Sequence, residues 1–367
     1  AQGNLGAKNY IFNYKKGFIK ILPVTVTVTA DDKQREYGDQ NPEFTATYTG
    51  FKHGQSAATG AVAGIPVFST IADSLAEVGD YDIQVAPGSL ISRNYAFKMT
   101  KGKLKITQAS IAITADDYER EYGQENPALT VQYTGFKNGQ DLASSGLSGI
   151  PAINVEATNT SDVGEYAIAV SKGSLASARY AFRFIPGKLR IGKATITITA
   201  QDTSRIYGDA NPGFDVQYSG FRNGQQKSSS GLEGEPALNS PANEWSDVGE
   251  YDIAVDTGSL KAKNYKFKLV KGKLQIRPAT LNVVADEQER MYGEENPALT
   301  YTINGYKNNQ TLSNSGVNGQ PALNTLADAL STVGDYDIMI VPGSLIAKNY
   351  AFKMGKGVLH VRKAVLN

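Results

Sequence analysis

The sequence repeats itself every 85 residues, and this period constrains the fold more than any single motif does. Three dipeptides return in four copies at that step. They are Tyr37-Gly38, Tyr122-Gly123, Tyr207-Gly208 and Tyr292-Gly293; Asn41-Pro42, Asn126-Pro127, Asn211-Pro212 and Asn296-Pro297; and Val78-Gly79, Val163-Gly164, Val248-Gly249 and Val333-Gly334. A fixed period indicates an array of similar units. Because a catalytic centre is rarely needed four times in succession, the period favours a function that depends on length or on multivalency.

The chain has 367 residues, which is too long for one core of ordinary size and suits several domains of about 100 residues each. The period predicts four domains, which we call repeats 1 to 4. Their expected bounds are 23–107, 108–192, 193–277 and 278–363. Residues 1–22 match the C-terminal part of a repeat, and residues 364–367 match the beginning of one. We therefore expect a truncated preceding repeat at one end and the start of a following repeat at the other.

The composition excludes several classes of partner. The net charge is +1, and Lys and Arg are interspersed with Asp and Glu. The sequence therefore has no basic stripe of the kind that binds nucleic acid or an anionic membrane surface. The chain has no cysteine, which rules out disulfides and thiolate metal sites. No run approaches the roughly 20 apolar residues of a membrane helix. A cysteine-free sequence rich in Gly, Ser, Thr, Asn and Tyr is typical of bacterial surface proteins.

Short runs of alternating apolar and polar residues predict strands in every repeat. Val24–Thr29 opens repeat 1 with this pattern, and a second run covers Phe44–Tyr48. A third short run lies at Pro66, where proline indicates an edge strand or a strand start because it cannot donate to a ladder. The remaining runs are clearest in repeat 3, over Tyr251–Val255, Asn264–Leu269 and Gly272–Ile276. Six or so strands joined by Gly-rich turns therefore form one unit.

The predicted fold class is all-β: a tandem array of small β-sandwich domains of the immunoglobulin-like type. Asp162–Tyr166 and Asp247–Tyr251 each have the Asp-x-Gly-x-Tyr pattern of the corner in which a tyrosine hydroxyl bonds back to the chain. A small β-grasp-like mixed sheet is the alternative. No sustained 3.6-residue apolar period occurs beyond one turn near Ser56–Ala63.

The connections between repeats are short. Ile106 closes repeat 1 and Ile111 already belongs to the first strand of repeat 2, with four residues between them. Pro23 and Pro278 lie at two of these connections and stiffen them. Since no Gly/Ser tether intervenes, we expect an extended and semi-rigid array.

The repeated motifs resemble the MBG domain of the YGX type, a repeat of large bacterial surface proteins and adhesins. In repeat 2 the resemblance rests on Tyr122-Gly123-Gln124, Asn126-Pro127, Tyr133-Thr134-Gly135-Phe136, Gly149-Ile150-Pro151, Val163-Gly164-x-Tyr166, Tyr180-x-Phe182 and Gly187-x-Leu189-x-Ile191. It covers nearly the whole chain. Departures are Tyr306 and Ile303 in repeat 4 and Arg179 in repeat 2. The resemblance implies an extracellular, repetitive and non-enzymatic role, and it supplies no catalytic residue.

No catalytic motif recurs across the copies, and we predict neither an enzyme nor a bound cofactor. Calcium is the one ion that the sequence suggests, because acidic residues follow the first strand of every repeat and could stiffen an array by binding it. The candidate ligands are Asp32, Asp117, Asp202 and Glu287. Ordinary turn chemistry of aspartate explains the same residues.

Trp245 is the candidate ligand-binding residue. It is the only tryptophan and occupies a loop position that is Leu75, Thr160 and Leu330 in the other repeats. An exposed aromatic ring can stack on a sugar, but it more often covers the edge of its own core.

The sequence therefore predicts a structural spacer, stalk or fibre-forming segment of a secreted or cell-surface bacterial adhesin. Its expected partners are the neighbouring repeats of the same chain, like chains in a fibre, or a surface glycan or protein. The alternative is an array of weak binding sites that gains avidity for glycans or host and matrix proteins by multivalency. The variation at the Trp245 position favours the spacer.

Overall fold

A computed structural model describes residues 3–365; residues 1, 2, 366 and 367, which belong to the two expected terminal pieces, lie outside the described residues. Contacts divide the chain into two compact units. The first holds the chain up to Tyr118 together with Pro127–Glu156 and Tyr166–Leu189. The second holds Glu119–Asn126, Ala157–Glu165 and the chain from Arg190 onward. Repeat 1 lies wholly in the first unit, repeats 3 and 4 lie wholly in the second, and the residues of repeat 2 are divided between them.

Every repeat contributes seven strands, at bounds that recur along the chain. Repeat 1 contains β1 (Val24–Ala30), β2 (Lys33–Glu36), β3 (Ala46–Thr49), β4 (Val67–Ser69), β5 (Gly79–Ala86), β6 (Tyr95–Thr100) and β7 (Gly102–Thr107). Repeat 2 contains β8 (Ala109–Ala115), β9 (Tyr118–Glu121), β10 (Val131–Thr134), β11 (Ala152–Val155), β12 (Gly164–Ser171), β13 (Tyr180–Ile185) and β14 (Gly187–Gly192). Repeat 3 contains β15 (Ala194–Ala200), β16 (Thr203–Ile206), β17 (Val216–Ser219), β18 (Ala237–Asn239), β19 (Gly249–Asp256), β20 (Tyr265–Val270) and β21 (Gly272–Arg277). Repeat 4 contains β22 (Ala279–Ala285), β23 (Gln288–Met291), β24 (Tyr301–Asn304), β25 (Ala322–Thr325), β26 (Gly334–Val341), β27 (Tyr350–Gly355) and β28 (Gly357–Arg362).

Two sheets face each other in repeat 1. One has the order β3-β1-β6, in which β1 is antiparallel to β3 and parallel to β6. The other has the order β2-β7-β5-β4, in which β2 and β7 are parallel and the remaining pairs are antiparallel. Repeats 3 and 4 have the corresponding sheets, β17-β15-β20 with β16-β21-β19-β18 and β24-β22-β27 with β23-β28-β26-β25. The three-stranded sheet of repeat 2, β10-β8-β13, follows the same order.

The first strand of each repeat crosses from one sheet to the other. β1 ends at Ala30 in the three-stranded sheet, and β2 begins at Lys33 in the four-stranded sheet. The last two strands cross in the same way, with only Lys101 between β6 and β7. At this crossing the backbones approach so closely that a Cβ on Gly272 of repeat 3 would lie 2.5 Å from the carbonyl oxygen of Ala200. Glycine is therefore required at that turn.

The core lies between the sheets, on the inward-facing residues of both. Val26 and Val28 of β1 are fully buried, as are Ile83 of β5 and Leu104 of β7, while their neighbours along the strands are more exposed. This alternation confirms the period-2 prediction. Burial of aliphatic side chains from two sheets contributes roughly 1.5–3 kcal/mol for each large residue and stabilises the sandwich.

The structure confirms the predicted class: a tandem array of small β-sandwich units. Among the described residues the only helical element is a 3₁₀ turn over Lys227–Ser229, in the segment of repeat 3 that corresponds to the helix-like pattern near Ser56–Ala63. Two packed sheets without an α-helix favour the sandwich over the β-grasp alternative. The corner is present as well, because the Tyr251 hydroxyl donates to the Asp247 carbonyl oxygen at 3.0 Å.

The alternation of apolar and polar residues predicts six or so strands in each repeat, and the structure has seven. The segment Lys33–Glu36 forms β2 although it is polar throughout. Its inward-facing residue is Arg35, which is 7% exposed. A hydrophobic alternation could not reveal a strand whose buried residue is charged.

Residues 3–22 form no strand, and their apolar side chains are exposed, with Ile11 fully so. In repeat 1 the corresponding residues form β6 and β7, which pair with β1, β2 and β5. No such partner strands precede residue 23 in the described chain. Without a ladder partner, a strand-like sequence has nothing to hold it in a sheet.

Candidate functional site at the joints between repeats

The contacts between consecutive repeats form a site that recurs three times along the described chain. We call them joints 1/2, 2/3 and 3/4 after the repeats that they connect. All residues named for joint 1/2 belong to the first compact unit, and all residues named for joints 2/3 and 3/4 belong to the second. Each joint consists of a loop from the later repeat, the plug loop, and a receiving segment from the earlier repeat, the socket.

The plug loops are tight turns that begin with a basic residue and end with a glutamine. They comprise residues 52–55, 137–140, 222–225 and 307–310. In repeat 2, Asn138 and Gly139 have positive φ angles of 54° and 66°, and the Gln140 amide donates to the Lys137 carbonyl oxygen at 3.0 Å. Two successive positive φ angles define a type I′ turn, which Asn-Gly adopts readily. The turn therefore fixes the directions of Lys137 and Gln140.

A buried tyrosine holds each plug loop to its own repeat. Tyr180 is 1% exposed; its hydroxyl accepts the backbone N–H of Lys137 at 3.1 Å and donates to Gln140 Oε1 at 2.6 Å. The same pair of bonds recurs in the other repeats at Tyr95, Tyr265 and Tyr350. Since each tyrosine begins a core strand, the plug loop is anchored directly to the sandwich.

The socket is the Tyr-Gly pair with the residue after it, at 37–39, 122–124, 207–209 and 292–294. It follows β2 directly, and a buried arginine of that strand positions it. Arg35 donates through Nε to Asn41 Oδ1 at 2.7 Å and through its guanidinium to the Asp73 carbonyl oxygen. Asn41 in turn donates to the Ala72 carbonyl oxygen at 2.7 Å. This bonding recurs in all repeats, so the Asn-Pro motif serves to fix the socket loop.

Two tyrosine rings meet edge to face at every joint. Tyr37 of repeat 1 and Tyr180 of repeat 2 have ring centroids 5.6 Å apart at an interplanar angle of 80°. Tyr122 with Tyr265 and Tyr207 with Tyr350 repeat this geometry at 5.4 Å and 79°. Such pairs contribute about 0.5–1.5 kcal/mol beyond the area they bury. At joints 1/2 and 3/4 the two rings belong to one apolar core that runs through both repeats.

The plug-loop glutamine links the two tyrosines. Gln140 Nε2 donates to the Tyr37 hydroxyl at 3.2 Å, while its Oε1 accepts the Tyr180 hydroxyl. Gln225 bridges Tyr122 and Tyr265 in the same way, and Gln310 contacts both Tyr207 and Tyr350. A bond between buried groups becomes costly to break because each partner is then left unsatisfied.

The socket glycine leaves room for the basic residue of the plug loop. Gly38 has φ +86°, and a Cβ there would fall inside contact distance of the Lys137 side chain. Gly123 meets Arg222 and Gly208 meets Lys307 in the same way. Glycine is therefore required twice over, by its positive φ and by the side chain that crosses it.

Ion pairs lie beside this apolar centre. Lys137 Nζ lies 2.8 Å from Asp39 Oδ1, and Lys307 Nζ lies 2.8 Å from Asp209 Oδ1. Asp39 raises the pKa of Lys137 by accepting this hydrogen bond. In joint 2/3 the socket residue is Gln124, and Arg222 pairs instead with Glu121 at 3.8 Å.

A second set of contacts closes each joint. In joint 2/3, Asp162 accepts hydrogen bonds from Lys263 at 2.5 Å and from Asn264 at 2.7 Å, and Asn264 Oδ1 accepts the Val163 N–H at 3.0 Å. Joint 3/4 uses Asp247, Lys348 and Asn349 in the same roles. The hydrogen bond from the lysine lowers the pKa of Asp162 and of Asp247 most, and the hydrogen bond from the asparagine lowers it further.

The candidate residues from the sequence lie elsewhere. Asp32, Asp117 and Asp202 each accept a backbone N–H, from Lys103, Lys188 and Lys273 respectively, at 2.7 Å. Glu287 is exposed, and the four candidates lie in four different repeats. Within residues 3–365 no three His, Cys, Asp or Glu side chains are grouped so as to hold a metal ion. Calcium binding by these residues stays a prediction.

Trp245 is 62% exposed in a loop of repeat 3, and its backbone N–H donates to Asn243 Oδ1 at 3.0 Å. The carbonyl oxygen of its neighbour Glu244 accepts a hydrogen bond from Asn308 of joint 3/4. Trp245 is thus next in sequence to a residue of joint 3/4, and it takes no part in the contacts described above. A ligand for Trp245 also stays a prediction.

The residues of the joints are recognisable in the sequence as motifs but not as a site. The available signal was that Tyr-Gly and the Gln at the end of the plug loop recur in every copy although they lie in polar loops. When a loop residue recurs although the turn itself does not require it, it is expected to make a contact.

The fold and the joints together define a class: a tandem array of β-sandwich repeats built for contact with its own neighbours. The family model of the MBG domain (YGX type) matches residues 26–105, 111–190, 196–275 and 281–360, so the chain belongs to this family. Each matched range lies inside one predicted repeat. No curated protein matches the sequence.

Solved structures of other tandem β domains resemble the chain at low identity. The I9–I11 tandem from titin is 11% identical, with 92% of this chain and 100% of that chain covered and a TM-score of 0.18. Sidekick-1 immunoglobulin domains 1–4 are 12% identical, with 78% and 83% covered and a TM-score of 0.22. Drosophila N-cadherin EC1–3 is 7% identical, with 68% and 98% covered and a TM-score of 0.17. Among residues 3–365 no helix has the length and apolar character needed to cross a membrane.

Proposed function

We propose that this array of MBG repeats is a structural spacer, a stalk or fibre segment of a secreted or cell-surface bacterial adhesin that projects a binding element. The observation that carries the proposal is the recurrence of one bonding set at three successive joints. Each joint combines a tyrosine pair, a bridging glutamine and a closing ion pair. Contacts of this kind restrict rotation between neighbouring repeats. Each added repeat therefore adds its own length to the spacer.

The proposal includes no catalytic role. A spacer requires stable turns, stable cores and fixed joints between its repeats. The recurring polar residues described above stabilise these three features. The asparagine of the Asn-Pro motif bonds to a buried arginine, the plug-loop glutamine bonds to two tyrosines, and three of the four acidic residues after the first strand accept backbone N–H groups.

A binding array remains the second candidate from the sequence, and the exposed ring of Trp245 is the feature that would serve it. The same loop position carries Leu75, Thr160 and Leu330 in the other repeats. Avidity requires the binding group in more than one copy, and the chain has a single tryptophan. The spacer is therefore the better-supported function.

Deletion of residues 193–277, one full period, tests the spacer by small-angle X-ray scattering. The deletion joins repeat 2 to repeat 4, and the new joint places Gly123 opposite Lys307 and Asp162 opposite Lys348 and Asn349. A stiff spacer loses maximum dimension in proportion to the length removed. A flexible chain of domains shortens only as the square root of its length. Square-root shortening would contradict the proposal, and a glycan array then tests the second candidate.

A further inference from the structure

A side-chain amide crosses every joint from the second residue of the plug loop. Asn138 Nδ2 donates to the Ser74 carbonyl oxygen at 3.2 Å, and Asn223 Nδ2 donates to the Asn159 carbonyl oxygen at 3.2 Å. Asn308 Nδ2 makes the corresponding contact in joint 3/4 at 2.9 Å. A backbone carbonyl oxygen only accepts hydrogen bonds, so each of these contacts requires a donor in the plug loop.

The residue that follows this asparagine differs between the joints. Glycine follows Asn138 and Asn223, whereas Asn309 follows Asn308. Asparagine followed by glycine is the pair most prone to deamidation, because glycine has no side chain that shields its backbone nitrogen. Asn138 and Asn223 are also exposed to water, while Asn308 is half-buried. Joints 1/2 and 2/3 therefore contain a reactive asparagine that joint 3/4 lacks.

Deamidation of Asn138 consumes only water. The backbone nitrogen of Gly139 attacks Asn138 Cγ and forms a new N–Cγ bond, which closes a succinimide ring. The Cγ–Nδ2 bond breaks, and the departing amino group takes the proton of the attacking nitrogen and leaves as ammonia. Water then adds to one of the two ring carbonyls and opens the ring. Addition at Cγ gives aspartate, and addition at the backbone carbonyl gives isoaspartate, in which the main chain continues through Cγ.

Both products weaken the joint. At neutral pH an aspartate in place of Asn138 is ionised and only accepts hydrogen bonds, so two acceptors face each other where Nδ2 now donates to Ser74. An isoaspartate lengthens the backbone of the plug loop, whose tight turn fixes the directions of Lys137 and Gln140. In either case the carbonyl oxygen loses its donor, and the lost bond destabilises the contact. The same argument applies to Asn223 in joint 2/3.

We propose that Asn138 and Asn223 are modification sites, at which spontaneous deamidation loosens joints 1/2 and 2/3, whereas Asn308 in joint 3/4 resists the reaction. The array then loses stiffness with age at two of its three joints. This inference rests on the proposed function, because it takes the joints as the contacts that fix consecutive repeats, and it adds a chemical limit to the lifetime of that stiffness.

Peptide mapping of the aged chain tests whether the sites react. The full chain is incubated in mildly alkaline buffer, and mass spectrometry of its peptides follows the replacement of each side-chain amide by a carboxylate. We expect Asn138 and Asn223 to react and Asn308 to stay intact. Asn309→Gly is the matched variant, because Asn309 already has a positive φ of 54° that glycine adopts freely, and it should make Asn308 reactive. Intact Asn138 and Asn223, or an unaltered Asn308 that reacts as fast as they do, would overturn the proposal.

Asn223→Asp tests the effect on the joint, because it introduces one product of the reaction directly. The Val163 N–H, which Asn264 Oδ1 accepts across joint 2/3, reports opening of this joint by hydrogen exchange, and the Val248 N–H reports joint 3/4 in the same way. We expect exchange at Val163 to rise about tenfold in the variant and exchange at Val248 to stay unchanged. Asn318→Asp, an exposed change outside the joint contacts, should alter neither.

The exchange of Val163 separates failure of this inference from failure of the proposed function. If Val163 is protected in the unaltered chain and equally protected in Asn223→Asp, deamidation does not loosen the joint and only this inference is overturned. An equal rise at Val163 and Val248 places the effect outside joint 2/3 and overturns it as well. If Val163 has no protection in the unaltered chain, the joint itself does not hold, and the spacer function fails with it.

Discussion

Glu77 and Arg179 form an ion pair across joint 1/2, and both differ from the residues at the same positions of the other joints. Arg179 donates to Glu77 through Nε at 2.9 Å and through its terminal nitrogen at 2.5 Å, and its guanidinium lies 5.5 Å from the centroid of the Tyr37 ring. Where joints 2/3 and 3/4 have Asp with Lys-Asn, joint 1/2 has Glu with Ala-Arg. In the sequence alone, Arg179 is only a departure from the family pattern. The structure shows that a change on one side of the joint is matched on the other.

This matching predicts a rescue. Arg179→Asn alone removes the bidentate pair with Glu77 and loosens joint 1/2. Addition of Glu77→Asp and Ala178→Lys recreates the bonding of joint 2/3 and restores the joint. Double-mutant coupling between the two sides, measured by calorimetric unfolding, is expected at about 0.5–3 kcal/mol. Additive effects of the changes would show that the two sides are independent.

The bridging glutamine yields a prediction with a control inside the chain. Gln140→Ala removes the acceptor of Tyr180 and the donor to Tyr37, whereas Gln55→Ala removes only the acceptor of Tyr95 among the described residues. The difference between the two variants isolates the contact across the joint. We expect Gln140→Ala to destabilise the array by about 1–3 kcal/mol more, because a buried hydroxyl loses its partner. Thermal unfolding measures this difference, and equal losses would contradict the role of Gln140.

The socket glycines provide a second matched pair. Gly208 and Gly293 have φ angles of +84° and +88°, so alanine carries the same backbone cost of about 1–2 kcal/mol at either position. Only at Gly208 does the new Cβ meet a side chain, that of Lys307. We therefore expect Gly208→Ala to lower the melting temperature more than Gly293→Ala does. If the two variants melt alike, steric fit at the joint is not what requires glycine.

The closing ion pairs predict a dependence on pH. Arg179 lowers the pKa of Glu77, and Lys263 and Lys348 lower the pKa of Asp162 and Asp247. These pKa values are lowered in the folded chain. The ion pairs therefore contribute fully to the free energy of unfolding when the pH is above the ordinary carboxyl pKa of about 4. This contribution is lost as the pH falls through the lowered pKa values. We expect hydrogen exchange at the joint strands to rise below about pH 4 before the cores open. The raised pKa of Lys137 predicts a similar loosening of joint 1/2 as the pH rises beyond about 10.4. Exchange that changes in cores and joints together would contradict this order.

The sequence predicted the sandwich well because its strands follow hydrophobic alternation, as in Val24–Thr29 and Tyr251–Val255. It missed β2, whose inward residue is Arg35, because no alternation scale expects a buried guanidinium in a strand. The joints could not be derived in detail, since they depend on how separate loops meet in space. Gln140 reads as an ordinary polar loop residue until Tyr37 and Tyr180 are seen on either side of it.

Double electron–electron resonance across joint 1/2 tests most directly whether the joint fixes consecutive repeats. The chain contains no cysteine, so Gln84→Cys and Ala169→Cys introduce two unique spin-label sites on exposed strand positions of repeats 1 and 2. We predict a single narrow distance distribution, which broadens when Gly38→Asn fills the socket. A broad distribution in the unaltered joint, or the same width in both samples, would contradict the account.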